Sequence, residues 1–308
     1  MFSPAVNRAS PFFSTRTATV AALALLAGLN AANAAPFTLS RERWDLRNPE
    51  LVETSGLAAS RRDDQFLWAI NDSGNTPDLF LIDPQGGDHG KIRLLGAHNV
   101  DWEDLDSFID DGVPRLLVAD TGDNRARRAF STIHIFQEPD VRSGRVAGTL
   151  APAWSIRFRF PDGPRDCEAV AADPREGKIL LISKRTWPPV LYEIPLKRPR
   201  PNEIVTARRL GPVNLPRPGL LSIPFSGQNT GLSLSPDGRL AAVLTYARVF
   251  LFPRTTGESW AVAFARKPIA LGRHGLEQAD GIAFSRDGRR IHVVSEGRHA
   301  PVATYRKN

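Results

Sequence analysis

The chain is poor in the residues that staple or decorate most small folds: one cysteine, one methionine, three tyrosines and six histidines in 308 residues. A lone Cys167 excludes an internal disulfide, so a large apolar core must hold the chain together. Cys167 also lies between Asp166 and Glu168, whose charges raise a thiol pKa and exclude a thiolate nucleophile. The histidines are dispersed without the paired spacing of a zinc site, so His98 and His134 read as structural. A Gly-x-Ser-x-Gly nucleophile elbow is missing; Gly231-Leu-Ser-Leu-Ser235 resembles it only superficially. No apolar run reaches the roughly 20 residues of a membrane span. No stretch keeps an amphipathic helical spacing for three turns. Basic clusters such as Arg127-Arg128 and Lys197-Arg198 are short and scattered, which argues against a nucleic-acid groove.

Residues 1–34 have the layout of a secretory signal. Arg8 and Arg16 give a positive start, Val20 to Gly28 a short apolar core, and Ala32-Asn33-Ala34 a small-x-small cleavage site. Without this segment the formal charge falls from +7 to +5, since it carries two arginines and no acid. The expectation is a periplasmic or secreted protein whose residues 35–308 form one domain, without a membrane span and monomeric.

Short Val/Ile/Leu/Phe runs of strand length fill that domain. Phe66 to Ile70, Leu116 to Ala119, Ile179 to Ile182, Leu240 to Leu244 and Ile291 to Val294 are bounded by turn residues. Asp237-Gly238 and Asp287-Gly288 supply the positive φ of tight hairpin turns. Five segments superimpose: Ser55-Gly-Leu-Ala-Ala-Ser60, Glu103-Asp-Leu-Asp-Ser-Phe108, Glu168-Ala-Val-Ala-Ala-Asp173, Thr230-Gly-Leu-Ser-Leu-Ser235 and Asp280-Gly-Ile-Ala-Phe-Ser285. Their starts are 48, 65, 62 and 50 residues apart. A four-stranded unit of this length is a propeller blade. The two longer units are assigned loops around Arg142 to Leu150 and Arg198 to Ser222. The chain therefore reads as an all-β, five-bladed β-propeller, with six blades or a pair of sandwiches as alternatives. The last unit has room for three strands, so Phe37 to Leu46 is expected to complete it and close the ring.

The first position of each repeat is Ser55, Glu103, Glu168, Thr230 or Asp280, and every one carries side-chain oxygen. Two residues earlier stand Glu53, Asp101, Asp166, Gln228 and Gln278. The second strands end in Asn71-Asp72-Ser73, Asp120-Thr-Gly-Asp-Asn124, Ser183-Lys184-Arg185, Thr245-Tyr246 and Ser295-Glu296. In a propeller these positions share one mouth of the central channel. Carboxylates crowded around an axis raise one another's pKa values unless a cation separates them. Oxygen-only ligands specify a hard cation, Ca²⁺ before Mg²⁺. Ser55, Glu103, Glu168, Thr230 and Asp280 are the candidate metal ligands. If the site is catalytic, Glu103 or Asp104 orients water. Lys184, Arg185 and Arg125, with Asn71, then hold a small phosphorylated molecule. Trp68, Trp102 and Trp187 pack between blades, or form a platform at the mouth.

The order SGLAAS, LWAINDSG, DWEDL, LLVADTGDNR, IHIFQEPD, CEAVAAD, LSLSPDG and a closing SEG resembles a bacterial group of exported β-propellers, distantly related to the esterase-like phytase, SMP-30 and SdiA-regulated types. The pattern Ser55, Glu103, Glu168, Thr230, Asp280 is also similar to the five-bladed calcium-activated nucleotidases, although their longer flanking motifs are missing. These resemblances imply an axial Ca²⁺. They imply either a ligand- or partner-binding propeller or a calcium-dependent hydrolase of phosphate esters or anhydrides. Fold analogy does not choose between the two.

Overall fold

Alternating runs bounded by Asp-Gly turns fold into five small antiparallel sheets. The computed structural model describes residues 1–2, 36–217 and 225–308, and Phe37–Asn308 form one compact unit. The expected leader, but for its first two residues, lies outside the described residues. The ring begins with β1 (Phe37–Asp45). Blade I holds β2 (Thr54–Ala59), β3 (Leu67–Asn71), β4 (Asp78–Ile82) and β5 (Asp88–Leu94). Blade II holds β6 (Trp102–Asp110), β7 (Val113–Asp120) and β8 (Ser131–Gln137); β9 (Thr149–Leu150) precedes its outer strand β10 (Trp154–Arg159). Blade III holds β11 (Cys167–Asp173), β12 (Lys178–Ser183) and β13 (Val190–Pro195); β14 (Ile204–Thr206) precedes its outer strand β15 (Arg208–Pro212). Blade IV holds β16 (Asn229–Leu234), β17 (Leu240–Thr245) and β18 (Arg248–Pro253), then a short helix α1 (Trp260–Ala265) and β19 (Ile269–Arg273). Blade V holds β20 (Ala279–Phe284), β21 (Arg290–Ser295) and β22 (Pro301–Lys307).

The first strand closes the ring as expected. β1 pairs antiparallel with β22, from Phe37 opposite Lys307 to Asp45 opposite Pro301. The long second and third units are more than loops, however. Each sends a strand back to the blade before it: β9 lies parallel to β5 in blade I, and β14 parallel to β10 in blade II. Such two- and three-residue strands are too short to read from hydrophobic alternation.

The core lies between blades rather than in one central mass. Ile133, Ile135 and Ile156 of blade II pack with Val170, Leu181 and Tyr192 of blade III, and comparable layers fill the gaps III–IV, I–II and V–I. Trp68 and Trp102 are fully buried in the I–II layer, the packing role the sequence suggested. Their ring N–H groups donate to Glu138 Oε1 at 2.9 Å and to the His98 carbonyl at 3.1 Å. Trp187 is partly buried against the III–IV layer. At the centre the inner strands β2, β6, β11, β16 and β20 each pack on the next and close the circle. They approach so closely that a Cβ on Gly56 would stand 2.6 Å from the Leu105 backbone nitrogen.

Candidate metal centre

Each inner strand departs from regular pairing at the same place. The register slips between Thr54 and Gly56, Trp102 and Asp104, Cys167 and Ala169, Asn229 and Gly231, and Ala279 and Gly281. The residue skipped in each case is Ser55, Glu103, Glu168, Thr230 or Asp280. These are β-bulges, which place two residues opposite one and re-aim a side chain. The five oxygen-bearing positions of the repeat are thus the five bulged positions, all at the start of the inner strand and all buried.

Glu103 is the hub. Its carboxylate lies within 4.8 Å of those of Asp72 and Asp101, and in a second group within 4.8 Å of those of Asp166 and Glu168. A side chain at position 122 would crowd it: a Cβ on Gly122 would stand 2.1 Å from Glu103 Oε1 and 2.5 Å from Asp101 Oδ2. Gly122 of the Thr-Gly-Asp-Asn motif therefore leaves the room in which the two carboxylates meet. Burial pushes the Glu103 carboxyl well above the usual range, and Glu168, Asp72, Asp280 and Asp101 push it further. Burial likewise raises Asp280 well above its usual value, reinforced by Glu168, and raises Asp72 to about 6. Glu168 is pushed up to about 7 by burial, although Lys184 opposes this. Burial raises Asp101 as well, and Glu103, Glu168 and Asp280, which act on one another, take up protons as a set.

Two buried oxygens in this group have no partner among the described residues: Ser55 Oγ and Asp280 Oδ1. Buried polar atoms are normally hydrogen-bonded, so each of these two is open to an ion or a water. The donor set is all oxygen, several of the groups carboxylate, with no histidine or thiol offered. Such a set suits a metal ion.

The chain also supplies a cation of its own. Lys184 Nζ pairs with Glu168 and donates to Tyr246 Oη at 2.9 Å. Burial opposes its charge, but Glu168 and Asp280 outweigh burial and keep it protonated. Arg185 Nε donates to Asp166 Oδ2 at 2.6 Å, and its guanidinium also meets Asn124 Oδ1. Arg185 has φ of 61° and Gln278, at the same mouth, 46°; both are strained for residues with a Cβ.

The remaining sequence candidates are placed differently. Asp104 is fully buried one position below Glu103. Its Oδ2 accepts from the backbone N–H groups of Val170 at 2.8 Å and Leu232 at 3.1 Å, its Oδ1 from that of Leu105 at 2.9 Å. It ties blades II, III and IV together on the axis. Asn71 is committed to the loop before β2: its Oδ1 accepts from Val52 and Glu53 N–H, and its Nδ2 donates to the Glu50 carbonyl. Thr230 Oγ1 donates to the Ala279 carbonyl at 2.7 Å. Arg125 is exposed on the loop after Asp123. Cys167 is fully buried, and burial pushes its thiol well up. Asp72, Asp101 and Asp166 were legible at this mouth from their positions but not as partners of Glu103. Their signal is the residue two before each repeat, or the end of the second strand.

Beside the cluster, a cavity of about 630 Å³ opens between blades IV and V, lined by Arg185, Tyr246, Arg273, Leu276, Gln228 and Gln278 among others. Among the described residues no helix is long and apolar enough to cross a membrane. No family model and no curated protein matches the chain. Among solved structures, hydrazine synthase of Kuenenia stuttgartiensis is similar at 12% identity, over 83% of this chain and 71% of that one, with a TM-score of 0.43. That likeness is too slight to inform the site, and the fold stands on the order of the sheets.

Proposed function

We propose that this chain is an exported β-propeller that holds a calcium ion at the acidic mouth of its channel and binds a ligand or partner there without chemistry of its own. The observation that carries the reading is the coincidence of the five bulges with five oxygen-bearing residues, two of them with buried, unpartnered oxygens. Glu103, Glu168 and Asp280 would hold the ion, with Asp72, Asp101 and Asp166 around it and Ser55 supplying a hydroxyl. Export rests on the leader-like residues 1–34, and the resemblance to a bacterial group of exported β-propellers agrees with it. Metal analysis of the purified protein, followed by calorimetric titration of calcium into chelator-treated protein, tests the reading. One calcium per chain, lost in Glu103→Gln, is expected. Failure of calcium to bind wild type overturns it.

A second reading has one specific observation behind it. The cavity beside the cluster carries Arg185 and Arg273, which suits an anionic substrate next to the ion. The protein would then be a calcium-dependent hydrolase of phosphate esters or anhydrides. Bound calcium would neutralise and polarise a phosphoryl group. Arg185 would grip a phosphate oxygen, Tyr246 and Leu276 would flank the organic part, and Lys184 would oppose protonation of Glu168. Turnover of phosphate esters or nucleotides that requires calcium and disappears in Glu103→Gln favours this reading. Calcium binding with no turnover on any such substrate favours the first.

A further inference from the structure

At the other end of the channel three arginines converge on one cavity. The inner strands begin at the acidic mouth and run about 15 Å to the far one. There the turns that follow β2, β11 and β20 carry Arg61, Arg175 and Arg286, and all three line one cavity of about 510 Å³. Arg61 Nε and Nη2 donate to the Ser107 carbonyl at 2.9 and 2.7 Å. Arg175 donates to the Pro236 carbonyl, and Arg286 to the Arg62 carbonyl at 3.3 Å. Each guanidinium is thus fastened to the main chain, with N–H donors to spare. None of the three forms an ion pair among the described residues, unlike Arg93, Arg128, Arg185, Arg208 and Arg254.

Two carboxylates, Asp106 and Asp173, face the same cavity and offset part of the charge of the three arginines. Asp173 is held by Trp260 Nε1 at 2.7 Å and by Arg254 at 3.3 Å. Asp106 accepts from the backbone N–H groups of Ala172 at 2.8 Å and Ser107 at 2.7 Å. Burial lowers the pKa of Arg61; Asp106 and Glu138 oppose this, and Arg286 and Arg175 lower it further. The like charges therefore feel one another across the mouth. Phe108, Ile109, Leu234 and Pro236 supply an apolar wall. A cavity of this size, apolar with a few convergent polar groups, suits a small ligand.

We propose that this mouth is a second site, distinct from the metal centre, which binds a small phosphate monoester through Arg61, Arg175 and Arg286 and seats its organic part against Phe108, Ile109 and Leu234. Guanidinium groups from three blades around one concavity favour a phosphate dianion, which accepts from several forks at once, over a single carboxylate.

Calorimetry on the full chain, in EDTA so that no metal bridges a phosphate to the acidic mouth, tests this with phenyl phosphate, inorganic phosphate and benzoate. Phenyl phosphate is expected to bind about tenfold more tightly than inorganic phosphate, because it adds apolar contact, and more tightly than benzoate. The double variant Arg175→Gln/Arg286→Gln, at two exposed turns, should weaken phenyl phosphate at least about tenfold by loss of charge-assisted bonds. Its calcium affinity should stay at the wild-type value. Absence of phenyl phosphate binding by wild type overturns the proposal, as does binding unchanged in the double variant. Benzoate binding more tightly than phenyl phosphate overturns the assignment to phosphate. Because the calcium titration is read separately, failure here and failure of the metal reading are distinguishable.

Discussion

If calcium replaces protons among Glu103, Glu168 and Asp280, its stabilising effect must grow with pH. The size follows from Glu168, whose carboxyl is raised by burial from 4.5 to about 7. A folded-state pKa raised above the unfolded value means the native state binds the proton more tightly. The corresponding stability is present below about 4.5 and lost as pH rises through about 7. Calcium meets an ionised Glu168 at pH 8 and a protonated one at pH 5. Two units below its pKa, protonation of Glu168 alone lowers the apparent calcium affinity about a hundredfold. Calcium at about 100 times its Kd stabilises by about 2.7 kcal/mol at pH 8; a hundredfold loss of affinity leaves about 0.4 kcal/mol at pH 5. At about 2–4 °C per kcal/mol, the Tm shift falls from about 5–11 °C to under about 2 °C. His134 and His292, neutral and pushed down to about 4 by burial, tilt the curves the other way. Their stability is present above 6.5 and lost as pH falls towards 4, equally with and without metal, so it cancels in the difference. The assay is thermal melting in matched buffers from pH 5 to 8, with EDTA or with excess calcium. A calcium shift that stays flat across that range, or shrinks as pH rises, would falsify the reasoning.

Three further outcomes follow from the same geometry. Asp104→Ala strands three buried backbone N–H groups, at about 1–3 kcal/mol each, so urea denaturation should show a loss of at least about 3 kcal/mol; a loss below about 1 kcal/mol would show that the axis does not depend on it. At pH 8, where Glu168 is ionised, Glu168→Gln leaves the buried Lys184 ammonium without its ion-pair partner, a loss of about 3 kcal/mol. Adding Lys184→Met should restore most of it, and a double variant no more stable than the single contradicts the pairing. Gly122→Ala should push the Glu103 and Asp101 carboxylates aside and weaken calcium binding at least about tenfold; unchanged affinity by calorimetry counts against Glu103 as hub.

The fold was legible because its unit repeats. Ser55, Glu103, Glu168, Thr230 and Asp280 align in the sequence for a structural reason, since each is the bulged residue of an inner strand. The hairpin turns were legible too: Gly238 and Gly288, each after an aspartate, have positive φ, at 65° and 67°, as a tight turn needs. The strands β9 and β14 were not, because they serve neighbouring blades and owe their pairing to tertiary contact. Asp104 illustrates a different limit. Beside Glu103 in sequence, it looked equally able to orient water, but one position past a bulge the side chain turns inward to backbone N–H groups of two other blades. Lys184 was read as a phosphate contact, and its place on Glu168 depends on the ends of two strands meeting across a hairpin.

The gathering of acids at one mouth and of three arginines in one cavity at the other is a consequence of ring closure. Every inner strand runs the same way along the axis, so whatever residue type favours its first position accumulates at one mouth, and whatever follows its last position accumulates at the other. A single acid at the start of a strand is an ordinary surface feature; acids at three of five starts become a cluster that must bind protons or a metal. Arginine in a turn is equally ordinary, yet three of the five turns after the inner strands bring theirs to one cavity. The two clusters are separated by the layer that Asp104 closes, where backbone N–H groups of three blades hold its carboxylate. An ion on one side of that layer and an oxyanion on the other would each relieve a repulsion set by strand direction.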